Sequence, residues 1–135
     1  MGAILVTQEI ADTIRPGDHG TTFGGGPLVA AVANHVVRRI AEPAFLDNVR
    51  ENGDWLAERL SSLARKSDRV RAVRGMGYMW GIDVVEPASE VVQRGWDAGL
   101  LVITAGDHTL RILPPLVIER SDLERGLSIL ERIIG

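Results

Sequence analysis

A chain of 135 residues with 45% hydrophobic content has the length of one ordinary domain and enough apolar material for a core, which excludes extensive disorder. Its 15 basic residues stand against 18 acidic ones, a formal charge of −3, so no basic field exists to hold nucleic acid or an anionic membrane surface. The absence of cysteine removes disulfides, thiolate catalysis and cysteine-ligated zinc, and no signal-type or membrane-length apolar run is present; a soluble, cytoplasmic protein is expected.

Ala3 to Thr7 is a short apolar run that reads as a buried strand or strand end. From Arg15 to Pro27 the composition changes to Pro, Asp, His, Thr and Gly, a long structured loop. Pro27 suits a first helical turn, and Leu28 to Val37 is apolar on nearly every face, which predicts a helix buried on most sides. A second helix starts near Pro43, with Leu46, Val49, Gly53, Leu56, Leu60 and Leu63 on one stripe. Val70–Val73 and Tyr78–Val85 are predicted strands joined tightly through Gly75 and Gly77.

Pro87 to Ala98 reads as a helix closed by Gly99. Two further strands, Leu101–Ile103 and Leu110–Leu113, are separated by Ala105-Gly106-Asp107, and Pro114-Pro115 ends the second. A capping box of Ser121 and Glu124 opens a last helix carrying Leu123, Leu127, Leu130 and Ile134 on one face. The order predicts an α+β fold, a small antiparallel or mixed sheet with helices packed on it.

The densest chemical pattern is Gly17-Asp18-His19-Gly20-Thr21-Thr22-Phe23-Gly24-Gly25-Gly26-Pro27. Glycines permit close backbone approach, hydroxyls and free amides donate to phosphate oxygens, and a following helix adds its amino-terminal dipole, so the loop suits an anion; a plain glycine-rich turn is the competing reading. No Gly-Lys-Ser/Thr follows, so it is not a P-loop. His19 reads as a hydrogen-bonding loop residue, His35 as a packed helix residue and His108 as part of a solvated turn; no metal site is expected. Gly75, Gly77 and Gly81 miss the dinucleotide fingerprint by one residue, with a strand following where a helix is required.

Arg111 lies inside the apolar stretch Leu110 to Leu113. Alternation along a strand lets Leu110 and Ile112 face the core while Arg111 points away, either as a surface arginine or as a fork that binds a carboxylate through two parallel hydrogen bonds.

His19-Gly20-Thr21-Thr22-Phe23-Gly24-Gly25, then Pro27 and an Ala-rich helix, closely resembles the signature that follows the catalytic lysine in class III, fold type I aminotransferases, which use pyridoxal 5'-phosphate. Val73-Arg74-Gly75-Met76-Gly77, Gly99-Leu100-Leu101-Val102 and Leu110-Arg111-Ile112-Leu113-Pro114-Pro115-Leu116 follow in that family's order. The resemblance spans essentially the whole chain. It implies that Thr22 reaches the cofactor phosphate of a neighbouring subunit, that Thr21 lies near the substrate, and that Arg111 binds the substrate α-carboxylate. Within the family, Gly99 to Pro115 is most similar to the acetylornithine aminotransferases, with ornithine and 4-aminobutyrate aminotransferases as competitors. The implied reaction moves an amino group from an ornithine-type amino acid, N-acetylornithine foremost, to the 2-oxo acid 2-oxoglutarate.

This sequence departs from the pattern in two ways. Gly26 stands where the family usually has Asn, which loosens the expected entry to the helix. The family's Schiff-base lysine, acidic pyridinium partner and first phosphate-binding loop would precede residue 1. Lys66 is the only lysine and reads as a solvated helix end, so no catalytic residue is assigned and the chain alone is expected to be inactive. Residues 1–27 are expected to be a remnant of the large cofactor-binding domain, and residues 28–135 a connecting helix and the C-terminal small domain. The expected partners are a second copy, as a dimer, or the missing N-terminal part. The alternative is a non-enzymatic orphan domain that oligomerises or binds a small anion because the apolar helix Leu28 to Val37 must be covered.

Overall fold

The computed structural model describes residues 2–135, which fall into two compact units divided between residues 46 and 47. The second unit is built on an antiparallel sheet of four strands, β1 (Val70–Met76), β2 (Met79–Val84), β3 (Ile103–Thr104) and β4 (Thr109–Ile112), in the order β1-β2-β4-β3. The first two strands form a hairpin in which Met76 pairs with Met79 across Gly77 and Tyr78. Gly77 takes a φ of 56°, the left-handed conformation that a two-residue turn of this kind needs and glycine supplies at little cost. Near its start β1 carries a bulge: Val70 pairs with Val84 but Ala72 with Asp83, leaving Arg71 as an extra residue.

One face of the sheet is dry. Val70, Ile82, Val84 and Leu110 pack with Leu56, Leu60 and Leu63 of α3 (Pro43–Lys66), Val91 and Val92 of α4 (Ala88–Asp97), and Leu127, Leu130 and Ile134 of α5 (Arg120–Ile134). Burying each large aliphatic side chain contributes about 1.5–3 kcal/mol, so this cluster dominates the unit's stability. Helix α4 closes as Gly99 predicted: the Leu100 amide donates to the Gly95 carbonyl at 2.7 Å and the Gly99 amide to Trp96 at 3.0 Å. Beside it, the half-buried Glu86 carboxylate accepts from the Arg69 guanidinium at 2.7 Å and from Arg94. Arg94 also donates to the Ile133 carbonyl at 3.2 Å, and the Ser67 hydroxyl to Ile134 at 3.3 Å, which ties the end of α5 to α4 and β1. Burial pushes the Glu86 carboxyl up, but the Arg69 and Arg94 guanidiniums outweigh it and hold it below the ordinary glutamate value.

The first unit contains the short helix α1 (Gln8–Ala11), α2 (Pro27–Ile40) and the connections between them; the boundary at residue 46 falls within α3. None of its described residues is buried. Three expectations are corrected here. Ala3 to Thr7 is exposed coil, because no strand pairs with it among the described residues and an unpaired segment gains no ladder. Helix α2 forms with Pro27 in its first turn, as expected, but Leu28 is 78% exposed and Val32 57%, so its apolar surface is uncovered in this chain. His35 on it is exposed rather than packed.

In the second unit the capping box also fails. Helix α5 begins one residue before Ser121, with Glu119 in extended conformation at its cap and no side-chain cap hydrogen bond. The buried stripe Leu123, Leu127, Leu130 and Ile134 is as expected.

Candidate functional site

Two regions carry the chemistry anticipated from sequence, one in each unit, and each stands by itself. The first is the glycine-rich loop. Residues 12–26 run through turns, opened by the Asp18 carboxylate accepting from the Arg15 amide at 2.8 Å, and lead into α2. Thr21 and Thr22 are both exposed. Gly26 caps α2 with φ −61° and ψ 150°, a conformation open to any residue, and its carbonyl accepts from the Ala30 amide at 2.9 Å. This conformation does not itself require glycine; the absence of a side-chain cap leaves first-turn amides and the positive end of the helix dipole to whatever the loop meets.

The second region is the outer face of the sheet. Leu110 is fully buried and Ile112 half-buried, while Arg111 between them is exposed, as alternation predicts. Arg111 pairs with Gly81 on β2 and with Ile103 on β3, and Gly81 pairs with Arg74 on β1. One rung of this face thus reads Arg74, Gly81, Arg111, Ile103. The next rung is Ala72, Asp83, Thr109. Between them lies an open groove of about 710 Å³ lined by Arg74, Gly81, Thr109 and Arg111, with Met76 and Met79 at one end.

A polar network occupies the second rung. Arg74 pairs with the Asp83 carboxylate, and the Thr109 hydroxyl donates to Asp83 Oδ1 at 2.6 Å. The Arg74 guanidinium beside it, then the Thr109 hydroxyl, holds the Asp83 carboxyl below its ordinary value, and Asp83 in turn raises Arg74. Among the described residues Arg111 enters no ion pair. Sequence reasoning singled out Arg111 and missed this network, whose members are 9 and 26 residues apart along the chain and meet only through strand register.

The remaining candidates do less. Lys66 is exposed at the end of α3. His108 keeps its Nδ1 at 2.8 Å from the Glu86 carbonyl, a turn contact. Among the described residues no group of three His, Asp or Glu side chains approaches closely enough to hold a metal ion, and no helix is long and apolar enough to cross a membrane. A second groove, of about 270 Å³, lies between Pro114 and α5; it is apolar apart from Asp122.

Comparison with known proteins places these features. The family description "Aminotransferase class-III" matches residues 1–134. The mitochondrial acetylornithine aminotransferase of Eremothecium gossypii is 40% identical over all of this chain and 32% of its own length. That of Alnus glutinosa is 44% identical over 96% of this chain and 29% of its own. The acetylornithine aminotransferase of Streptococcus mutans is 36% identical over 98% of the chain and 35% of its own. Among solved structures, the acetylornithine aminotransferase of Elizabethkingia anophelis superposes with a TM-score of 0.79 at 30% identity, over 96% of this chain and 35% of that one. The ornithine delta-aminotransferase of Plasmodium falciparum reaches 0.82 at 26% identity, over 96% and 35%. The chain spans about a third of the length of the curated relatives it matches.

The expectation of a cytoplasmic protein is corrected by these names, since the Eremothecium gossypii and Alnus glutinosa relatives are named mitochondrial, while the name of the Streptococcus mutans relative carries no compartment. A cysteine-free composition reports the absence of disulfides and nothing about which reducing compartment a protein occupies. With a family match along nearly its entire length and relatives well above 30% identity, the chain belongs to the class-III aminotransferases.

Proposed function

We propose that this chain is the carboxyl-terminal, carboxylate-binding part of an aminotransferase that moves an amino group from N-acetylornithine to 2-oxoglutarate. The observation that carries the proposal is Arg111, exposed on a rigid strand just before Pro114-Pro115, with no carboxylate partner among the described residues. A guanidinium held this way offers two parallel N–H donors to the α-carboxylate of an amino acid and fixes the orientation of its reacting carbon. The names of the relatives support the choice of substrate. In this reading residues 1–27 belong to the large cofactor-binding domain, and residues 28–135 are a connecting helix and the small domain.

Pyridoxal 5'-phosphate supplies, when bound, the electron sink that such a transfer requires. The residues present fit one edge of it. Thr22, exposed in a glycine-rich loop at the amino end of α2, can donate its hydroxyl to a phosphate oxygen of a cofactor held by a second copy, with Thr21 next to it toward the substrate. They do not fit its anchor, because Lys66 is the only lysine and stands in solvent at the end of α3 beside Arg65. The chain's own residues therefore bind and orient, and the groups that exchange protons with the substrate come from elsewhere.

Mixing the chain with a complementary amino-terminal fragment of a relative and pyridoxal phosphate should produce 2-oxoglutarate-dependent consumption of N-acetylornithine. Arg111→Ala should raise KM for both substrates strongly and Thr22→Val should weaken retention of the cofactor. Turnover by the chain alone would overturn the lysine argument; an Arg111→Ala mixture as active as the unaltered one would overturn the clamp. A dimer, or an orphan domain that oligomerises without catalysis, is favoured by one observation, the uncovered Leu28, Val32, Val36 and Val37 of α2. Sedimentation showing a monomer at every concentration tested would remove that reading.

A further inference from the structure

Gly81 sits in the interior of the sheet, on β2, between Arg74 of β1 and Arg111 of β4. A glycine weakens a strand there, and the backbone does not call for one, because Gly81 lies outside the left-handed region that Gly77 occupies. What the position gains is space. A Cβ placed on Gly81 would meet Thr109 Cγ2 at 3.3 Å and Arg74 Cγ at 3.7 Å, and no atom of Arg111 stands nearer than these. The Arg74 guanidinium is turned to one side, where it pairs with Asp83 and lies 3.4 Å from the Thr109 hydroxyl. On the other side of Gly81 the hairpin ends in the facing pair Met76 and Met79, both exposed. The outer groove of about 710 Å³ therefore has a cation at Arg111, bare backbone at Gly81 and two thioether side chains at its end.

We propose that Gly81 is a specificity-determining residue: its bare backbone is the floor across which a carboxylate held by Arg111 extends its carbon chain toward Met76 and Met79. This rests on the reading of Arg111 as a carboxylate clamp, and it defines the ligand class as carboxylates that carry a flexible chain of several carbons. A residue directly across the ladder from Arg111 holds its Cβ about 5 Å from that of the arginine, so any side chain at position 81 stands in the path of such a chain. Methionine thioethers are polarizable and adaptable, which suits methylenes of varied number. Because Met76 and Met79 stand at an open end, a polar far end projects out of the groove, whether the amine of N-acetylornithine or the second carboxylate of 2-oxoglutarate.

The contact with Thr109 is a separate reason for glycine. The Thr109 hydroxyl donates to Asp83 Oδ1 at 2.6 Å, which fixes the methyl that a Cβ at position 81 would press on. Thr109→Ser separates the two roles, since it keeps the hydroxyl and removes the methyl.

The test uses the whole chain and follows backbone amides and the Arg111 Nε–Hε resonance by NMR. Acetate presents the head group alone, and N-acetylornithine the head group with a chain. In the unaltered chain both should shift Arg111, and only N-acetylornithine should also shift the Gly81 and Met79 amides. In Gly81→Val, N-acetylornithine should bind about fivefold more weakly, with acetate weakened less than about twofold. The same loss should remain when Gly81→Val/Thr109→Ser is compared with Thr109→Ser. Recovery of N-acetylornithine binding in that comparison would reduce Gly81 to a packing partner of Thr109 and overturn the proposal, as would equal weakening of both ligands.

Should Gly81→Val fail to fold, Gly81→Ala/Thr109→Ser replaces it, with an expected loss of about threefold. N-acetylornithine that shifts Arg111 in the unaltered chain and leaves Gly81 and Met79 unmoved overturns the proposal without any variant. No response of Arg111 to acetate would instead defeat the clamp reading, and this inference with it.

Discussion

Helices α2 and α3 invite comparison, because both are rich in apolar residues and only one of them buries any. In α3 the apolar residues keep to a stripe, and Gly53, Leu56, Leu60 and Leu63 are buried together with Asn52. In α2 Val29, Val32, Val36 and Ile40 recur at spacings of three and four along one side, with Asn34, His35 and Arg38 opposite, and none of its residues is buried. The contrast teaches that apolar content predicts a helix's need for partners and not its burial, which depends on what surface stands opposite. A one-stripe helix is satisfied by a small sheet. An apolar stripe with no facing surface stays exposed, which agrees with reading residues 1–46 as a segment that works against a larger body.

The sharpest way to break this comparison is Leu60→Ala, which should lower the stability of residues 47–135 by about 2–5 kcal/mol, since the fully buried side chain leaves a cavity. Urea unfolding followed by tryptophan emission reports on that unit alone, because Trp55, Trp80 and Trp96 all lie within it. Gly75→Ala should cost about 1–3 kcal/mol in the same assay, because an added Cβ would meet the Met79 carbonyl oxygen at 2.2 Å and Trp80 Cα at 2.8 Å, both backbone atoms of the paired strand. Retention of stability there would mean that the hairpin can shift its register.

Glu86→Gln should cost about 1.5 kcal/mol near neutral pH by removing the charge that Arg69 and Arg94 share. Its pH dependence has a definite sign. A carboxyl held below its ordinary value in the folded chain stabilises above that ordinary value, and its contribution fades as pH falls through the lowered one. The difference between the two proteins should therefore shrink on acidification below the ordinary glutamate range; a difference that grew would reverse the assignment. The smallest effect belongs to the other helix. Val32→Ala in α2 should change unfolding of residues 47–135 by less than about 0.5 kcal/mol, and a cost approaching that of Leu60→Ala would erase the distinction between the two helices.

What could be read from the residues follows the same division between local and distant causes. The stripe of α5, the closure of α4 at Gly99, the Gly77 turn and the outward direction of Arg111 are set by neighbours three or four residues away or by simple alternation, and each was legible. The short helix at Gln8–Ala11 had no periodicity to reveal it. Ser121 and Glu124 have the spacing of a capping box, yet the helix starts earlier at Arg120, which pairs with Glu124 at 3.6 Å and with the Asn52 side chain at 2.6 Å. A tertiary contact outweighed a local signal. The Asp83 network was invisible for the related reason that its partners are chosen by pairing between strands, which no single window contains.

The bulge at Arg71 has a consequence for how this sheet can change. Counting strictly from Val70, alternation would send Arg74 to the dry face; the additional residue moves it to the face of Asp83 and Arg111. The hairpin end of β1 is therefore insulated from the end that leaves α3. Removing Arg71 would turn the joint into plain ladder with Val70 still opposite Val84 and Arg74 still opposite Gly81, and removing Ala72 would do the same with Arg71 opposite Asp83, so a one-residue deletion can be absorbed there, whereas the same deletion at Val73 would carry Ala72 onto the dry face opposite Ile82.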